Sequence, residues 1–585
     1  MKTNYILTIA MILYSFSSFS QVPDWQWAKT MGGTSYDDGQ SIALDPAGGM
    51  DVYTTGSFSG TVDFDPDSAV NFNLTSAGGT DIFISKLDSS GNFVWAKAMG
   101  GTYSEEVQAI AIDPAASRDV YTTGSFGGTA DFDPDSSGTF NLTAIGFHDL
   151  FISKLDSAGN FVWAKVLGGA NQDVGLSIAL DPAGSGDVYT TGSFQGTVDF
   201  DPGAGTFNLT ATGFSDIFIL KLDASGNFVW AKAMGGATDY GRSIALDPTG
   251  SGDVYTTGYF SGTADFDPSA AVFNLTSSGF DIFISKLNSS GNFVWAKAMN
   301  GNGNGVSDAY SIALDPTGTG DIYTTGVFEG TVDFDPDSAV NFNLTSAGGT
   351  DIFISKLDSS GNFVWAKALG GTSEDWGLSV ALDPTGSGEV YTTGYFKGVA
   401  DFDPGVGNFN LTSAGGTDIF ISKLDGSGNF VWAKAIGGSA NYDYGQSIAL
   451  DGIGHVFVTG HFQSPTITFD STTLANADNS GTTTDVFIAK LEIALITGNI
   501  EIENLDNGIL LFPNPATNQF TIAFESCCQK VIVTIADVTG KIIYRSTAIE
   551  GQKIEVNAND FTKGVYAVQI QSADFIEAQK LIVVK

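Results

Sequence analysis

Along most of the chain, short segments alternate apolar and polar positions and are separated by turns rich in Gly, Asp and Ser. In the first such group, Ser41-Ile-Ala-Leu-Asp45 is short and apolar, and Asp51-Val-Tyr-Thr-Thr-Gly56 alternates with β-branched residues. Ile82-Phe-Ile-Ser-Lys-Leu87 and Asn92-Phe-Val-Trp-Ala-Lys97 follow. A period of two with aromatic and β-branched side chains predicts four β-strands. The connections carry turn chemistry, Asp45 to Asp51 between the first pair and Asp88-Ser-Ser-Gly-Asn92 between the last. There Gly tolerates positive φ, and Asp or Ser can bond nearby backbone N–H groups. Thr61-Val-Asp-Phe-Asp-Pro66 and Phe72-Asn-Leu-Thr75, between the second and third strands, alternate as well and predict an added hairpin.

The whole group recurs. Trp-Ala-Lys starts at Trp27, Trp95, Trp163, Trp230, Trp295, Trp365 and Trp432, a period near 67 residues, and residues 60–98 return letter for letter as 330–368. Self-similarity at this spacing means one structural unit copied and stacked. Four antiparallel strands per copy, radially repeated, make a β-propeller blade. The first three strands occur seven times, yet no Phe-Val-Trp-Ala-Lys strand follows Leu491. The missing strand is Asp24-Trp-Gln-Trp-Ala-Lys29, at the opposite end of the repeats. The expected fold is therefore all-β, a seven-bladed β-propeller over residues 21–492 followed by a small second domain. Its N-terminal strand, marked by Trp27, closes the last blade, because an open sheet edge is a pairing hazard. The motifs Ile-Ala-Leu-Asp-Pro, Gly-Asp-Val-Tyr-Thr-Thr-Gly and Lys-Leu-Asp-Ser-Ser-Gly-Asn-Phe-Val-Trp resemble the SBBP-type bacterial propeller repeats, distant cousins of the NHL repeats. The resemblance covers residues 22–492 and implies a fold, not a reaction. The Asp-Phe-Asp-Pro hairpin lengthens each copy beyond the usual repeat.

Both flanks differ from the repeats. Lys2, the apolar run Tyr5 to Tyr14, and the small residues Ser18 and Ser20 predict a secretory signal peptide over residues 1–20. No later stretch reaches the roughly 18 apolar residues of a membrane-spanning helix. After a linker at 493–502, residues 503–585 carry 7 Lys+Arg against 9 Asp+Glu, so the acidity of the chain lies in the repeats. Short strands with turns predict a small Ig-like β-sandwich here. Phe512-Pro-Asn-Pro-Ala516, the turn Asp537 to Gly540, Lys563-Gly-Val-Tyr566 and the terminal Lys580-Leu-Ile-Val-Val-Lys585 resemble the type A C-terminal sorting domain of the Bacteroidota type IX secretion system. That resemblance implies Sec export followed by passage through the type IX machinery, removal of the domain by a sortase-like peptidase, and attachment to lipopolysaccharide or release. It assigns the sorting signal to Pro513, Asn514, Pro515, Gly540, Gly564, Tyr566 and Lys585. Cys527 and Cys528 are adjacent and are expected to be free thiols.

Composition narrows the chemistry. With 25 Lys+Arg against 65 Asp+Glu, the net charge of −40 repels phosphate backbones and anionic lipid, which excludes nucleic-acid binding. Only three His are present, and no nucleophile recurs beside a base, so the chain is expected not to be an enzyme. His148, His455 and His461 read as lone surface residues. The loops from each fourth strand to the next first strand diverge most, as in Tyr103-Ser-Glu-Glu106, Thr238-Asp-Tyr240, Ser373-Glu-Asp-Trp376 and Tyr442-Asp-Tyr444. Strand direction places them on one face with the insertions. Near-identical frames with diverging loops predict a binding surface for a glycan or protein ligand. The carboxylate pairs Asp63/Asp65, Asp131/Asp133, Asp199/Asp201, Asp265/Asp267, Asp333/Asp335 and Asp401/Asp403 are candidate calcium ligands, since hard cations take several oxygens. The other reading of these pairs is that the intervening Phe packs inward and both Asp are solvated. A secreted hydrolase or lyase acting on polysaccharide, or a structural surface or matrix component, are the alternative functions. A monomer is expected.

Overall fold

The computed structural model describes residues 23–492 except 47–49, 68, 116, 136, 302–304, 338 and 440–441. Beyond them it describes residues 509–512, 516, 519–524, 531–537, 542–548, 553–558, 561, 564–571 and 576–583. The expected signal peptide and linker, the Cys pair, and Pro513, Asn514, Pro515, Gly540 and Lys585 lie outside the described residues. The chain divides into two compact units, Met1–Ile493 and Ala494–Lys585. The described residues contain no α-helix.

In the first unit the described residues form seven antiparallel groups of four strands. The first group is Asp37–Leu44, Val52–Asp63, Asn73–Leu87 and Phe93–Gly101, paired in that order. The next five follow the same plan. The seventh takes three strands from one end of the repeats, Asp443–Leu450, His455–Phe462 and Asp485–Glu492. Its fourth strand is Asp24–Gly33, with Ala28 opposite Ala489 and Met31 opposite Val486. Trp27 lies opposite Lys490, and its indole Nε1 donates to the Ser89 carbonyl of the first sheet at 3.2 Å. The equivalent indoles of Trp163, Trp230 and Trp365 reach the following sheet in the same way, at 3.2–3.3 Å.

The alternating pattern has two buried faces to fill, and each fills against a neighbour. Tyr53, Ile82 and Ile84 of the first sheet pack on Val107, Ile110 and Phe126 of the second, and the sequence of cores continues sheet by sheet. Phe457, Val486 and Ile488 of the seventh then pack on Ile42, Val52 and Phe58 of the first. The first strands follow the same cycle, each lying against those of the sheets before and after it, the seventh against the first. Full burial of each such side chain contributes about 1.5–3 kcal/mol.

The insertion extends the second and third strands in the first, fourth, fifth and sixth sheets. In the second, third and seventh it is a separate two-stranded hairpin. Its backbone also joins neighbouring sheets, because Gly32 pairs with Asp63, Gly100 with Asp131, Asn300 with Asp333 and Gly370 with Asp401.

The first strand begins at Asp37, four residues before the segment that the alternation predicts. A β-bulge explains the difference. Gly39 pairs with Gly56 and Ser41 with Thr55, so Gln40 is an extra residue that interrupts the period of two. The bulge recurs in all seven first strands. It brings a carbonyl so close to the facing strand that only Gly fits: a Cβ on Gly394 would lie 1.9 Å from the Trp376 carbonyl oxygen. Gly394→Ala should therefore destabilise the protein by about 1–3 kcal/mol, read as a lower denaturation midpoint. A stability equal to that of the parent would contradict this packing.

The second unit contains two sheets. Ile509–Phe512, Gln519–Phe524 and Lys553–Asn557 form one, and Ile542–Ala548, Val531–Asp537, Gly564–Gln571 and Ile576–Val583 form the other. Phe520, Ile522 and Val556 of the first sheet share a core with Val533, Ile535, Val568 and Leu581 of the second. Tyr566 is buried in that core, against Phe561. The Lys553–Asn557 strand, with Lys, Glu and Asn on one side of a short alternation, is one the sequence reading passed over.

Candidate functional site

In a frame built from copies, residues shared by every copy maintain the frame, and departures from the pattern are where a ligand would be distinguished. The bulged positions hold Gln40, Gln108, Leu176, Arg242, Tyr310, Leu378 and Gln446. Two residues earlier stand Asp38, Glu106, Val174, Tyr240, Asp308, Trp376 and Tyr444. On the second strands, next to the required Gly, stand Ser57, Ser125, Ser193, Tyr259, Val327, Tyr395 and His461. Bulges re-aim side chains next to functional sites, and here the re-aimed residues are among the least repetitive in the frame.

In the fourth to seventh sheets these departures are in contact. Tyr240 stacks on Tyr259 with ring centroids 5.1 Å apart. The Arg242 guanidinium lies 5.0–5.4 Å from the ring centroids of Tyr240, Tyr259 and Tyr310 and donates through Nε to Asp308 Oδ2 at 3.0 Å. Tyr310 lies 5.5 Å from Trp376, Trp376 stacks on Tyr395 at 5.7 Å, and Tyr395 stacks on Tyr444 at 4.2 Å. Tyr444 meets His461 edge-on, and His461 Nδ1 lies 3.5 Å from Asp38 of the first sheet. The rings of this arc are half-buried; Asp308 and His461 are buried. The corresponding positions of the first three sheets hold only acidic, small or aliphatic residues and Gln.

Burial and neighbouring charges shift the ionisable groups of the arc. Burial opposes the charge on Arg242, but Asp308 and the tyrosines outweigh it, and its pKa is raised. Burial raises the Asp308 pKa while Arg242 opposes the shift. Burial also raises the pKa of Tyr259, Tyr310 and Tyr395, so their hydroxyls stay protonated; that of Tyr310 is bonded to Asp308. Trp376 Nε1 is buried without a hydrogen-bond partner. The arc thus offers apolar ring surface with a few fixed polar groups.

Of these residues, Tyr240, Trp376 and Tyr444 lie in the segments singled out from sequence as divergent loops, and Asp38 and Asp308 hold the equivalent positions of the first and fifth sheets. Arg242, Tyr259, Tyr310 and Tyr395 do not, because they lie inside strands. Their signal was present as substitutions at otherwise repeated strand positions. His461 differs from the surface reading: it is buried beneath Tyr444. His455 sits at the other end of the same strand, bonded to Asp451, so the two do not meet.

The candidate calcium residues occupy another place. Phe64, Phe132, Phe200, Phe266, Phe334 and Phe402 are fully buried, and the flanking Asp are half-buried. Asp63 Oδ1 accepts from the backbone N–H groups of Asp65 and Phe72. Asp131, Asp199, Asp265, Asp333 and Asp401 cap their turns in the same way. Asp65, Asp133, Asp201, Asp267, Asp335 and Asp403 each accept from the residue two further on. Turn geometry accounts for the spacing, and among the described residues no three His, Cys, Asp or Glu gather as a metal site. At the opposite ends of the strands, Lys86 pairs with Asp51 at 2.9 Å over the Tyr53 ring. This Lys–acid–Tyr group recurs in the next five sheets, which marks it as part of the frame.

Residues 510–585 match the family of secretion system C-terminal sorting domains. The chain is similar to an uncharacterized WD repeat-containing protein of Acanthamoeba polyphaga mimivirus, 25% identical over 470 residues, covering 70% of this chain and 33% of that one. An endo-acting ulvan lyase of Formosa agariphila is 34% identical over 82 residues, 14% of this chain and 16% of the lyase. The chain thus spans a third or less of these relatives. The crystal structure of Sqt1 from Chaetomium thermophilum aligns over 76% of this chain and 83% of its own, at 11% identity and a TM-score of 0.35, too low to bear on the fold. The C-terminal unit is a type IX sorting domain, and the protein is exported by that system to the cell surface or the medium.

Proposed function

We propose that the exported chain is a seven-bladed β-propeller with SBBP-like repeats, closed by its N-terminal strand, that binds a glycan or protein ligand without catalysing a reaction. The observation that carries the binding reading is the concentration of non-repeated side chains into one aromatic arc on the first and second strands. The cyclic order of cores and first strands supports the propeller reading. The C-terminal unit serves export as an Ig-like sandwich, with residues 1–20 as the signal peptide. No catalytic residue is carried over from the ulvan lyase, whose similarity extends over 82 residues only.

The test uses the exported protein, immobilised and offered polysaccharides and extracellular proteins, with retention and product release read together. Selective retention without new chain ends supports a binding protein; release of oligosaccharides would overturn that in favour of an enzyme. Removal of residues 510–585 should leave the protein in the periplasm, read by fractionation and immunoblot. Undiminished surface display of that truncation would contradict the assigned route.

A further inference from the structure

Resting on the arc as the binding surface, we propose that its ligand is an uncharged polysaccharide that lies along the edges of the stacked Tyr310, Trp376 and Tyr395 rings. Charge disfavours an ionic ligand at the Arg242 end of the arc. A cationic ligand would find the faces of Tyr240, Tyr259 and Tyr310 already taken by Arg242, a like charge. An anionic ligand would find that guanidinium neutralised by Asp308, with Asp38 and Glu374 close to the far rings in a chain of net charge −40. Like-charge juxtaposition of this kind suppresses wrong partners.

A wholly aliphatic ligand would bury the arc's hydroxyls unpaired. A sugar ring joins apolar C–H groups to hydroxyls that can pair with the protonated Tyr259 and Tyr395. The arc runs across four adjoining sheets, from Tyr240 to His461. That length suits a chain of sugars better than a single ring.

The experiment is affinity electrophoresis and calorimetry of the exported protein with defined probes. The neutral probes are a β-1,3-glucan, a β-1,4-mannan and dextran; the charged probes are alginate, a sulfated glycan and polylysine. At least one neutral probe should bind, and Trp376→Ala and Tyr310→Ala should each weaken it about tenfold or more. Val94→Ala, at an exposed position on the fourth strand of the first sheet, should leave it unchanged. If Trp376→Ala does not fold, Trp376→Leu, which keeps apolar bulk without a ring, carries the comparison. Binding confined to charged probes and lost in the arc variants would overturn the ligand class while leaving the arc as the binding surface. Neutral binding unaffected by all arc variants would overturn the arc as the site. Binding of no neutral probe at concentrations that saturate a Kd of about 1 mM would also overturn the ligand class.

Discussion

A chain starting at residue 34 will lose its cooperative thermal transition or melt far below the parent. Residues 24–33 supply the fourth strand of the seventh sheet, and their removal takes Ala28 and Met31 out of buried positions in two different cores. Trp25, edge-on to Phe469 at 4.8 Å, and Trp27 go with them. Loss of that apolar surface costs about 5 kcal/mol or more, comparable with the whole stability of many domains. The backbone of Asp485–Glu492 would also lose one row of hydrogen-bond partners. Calorimetry of the truncated chain tests this, and a peptide of residues 23–33 should restore the transition. A melting temperature within a few degrees of the parent's would show that the strand is dispensable.

The second large effect is a loss of stability with rising pH. Buried carboxyls meet at the joints between sheets. Asp37 and Glu105 are each pushed up to about 8, chiefly by burial and further by Asp485 and Asp81 respectively. Asp351 and Asp485 are raised to about 7, and Asp81, Asp173, Asp239, Asp375 and Asp418 to about 6, again mainly by burial. Each group releases its proton less readily folded than unfolded, where carboxyls titrate near 4. Stability is therefore full below that value and falls as pH rises through about 6 to 8.

The half-buried turn carboxylates Asp88, Asp156, Asp223, Asp358 and Asp425 act in the other direction. Burial slightly opposes their ionisation, but backbone and Asn donors dominate and lower their pKa. Their stabilisation is lost as pH falls below about 4. The melting temperature should thus peak near pH 4 and decline steadily toward pH 8.5. Glu105→Gln should raise stability at pH 8.5 and leave it unchanged at pH 5. A flat profile, or one rising toward pH 8.5, would contradict these buried acid pairs.

Much of the frame was legible because the repeats keep their alternation and turn chemistry in register. The split of the seventh sheet between the two ends of the repeats followed from a strand missing at Leu491 and present at Trp27. The start of each first strand was not legible, because the bulge at Gln40 and its equivalents breaks the period on which strand recognition depends. The same bulge hid two residues of the candidate site: Arg242 and Tyr310 look like ordinary strand residues until the extra residue re-aims them. The Asp-Phe-Asp pairs show the opposite problem. Carboxylates two residues apart suit a cation and a turn cap equally well in sequence, and only the neighbouring N–H groups of Asp65 and Phe72 reveal the capping role.

The account rests on the two ends of the repeats completing one sheet, and a disulfide across that sheet tests it most directly. In a chain with Cys527 and Cys528 replaced by Ser, Ala28→Cys and Ala489→Cys are directly opposed. Ser85→Cys with Ala96→Cys is the equivalent pair within the first sheet. Both pairs should close under the same mild oxidation. The Ala28–Ala489 bond, which spans about 460 residues, should raise stability more, by up to about 6 kcal/mol on chain entropy alone. Closure of the control pair with the Cys at positions 28 and 489 left free would show that the ends do not meet, and the ring that positions the arc would fall with them.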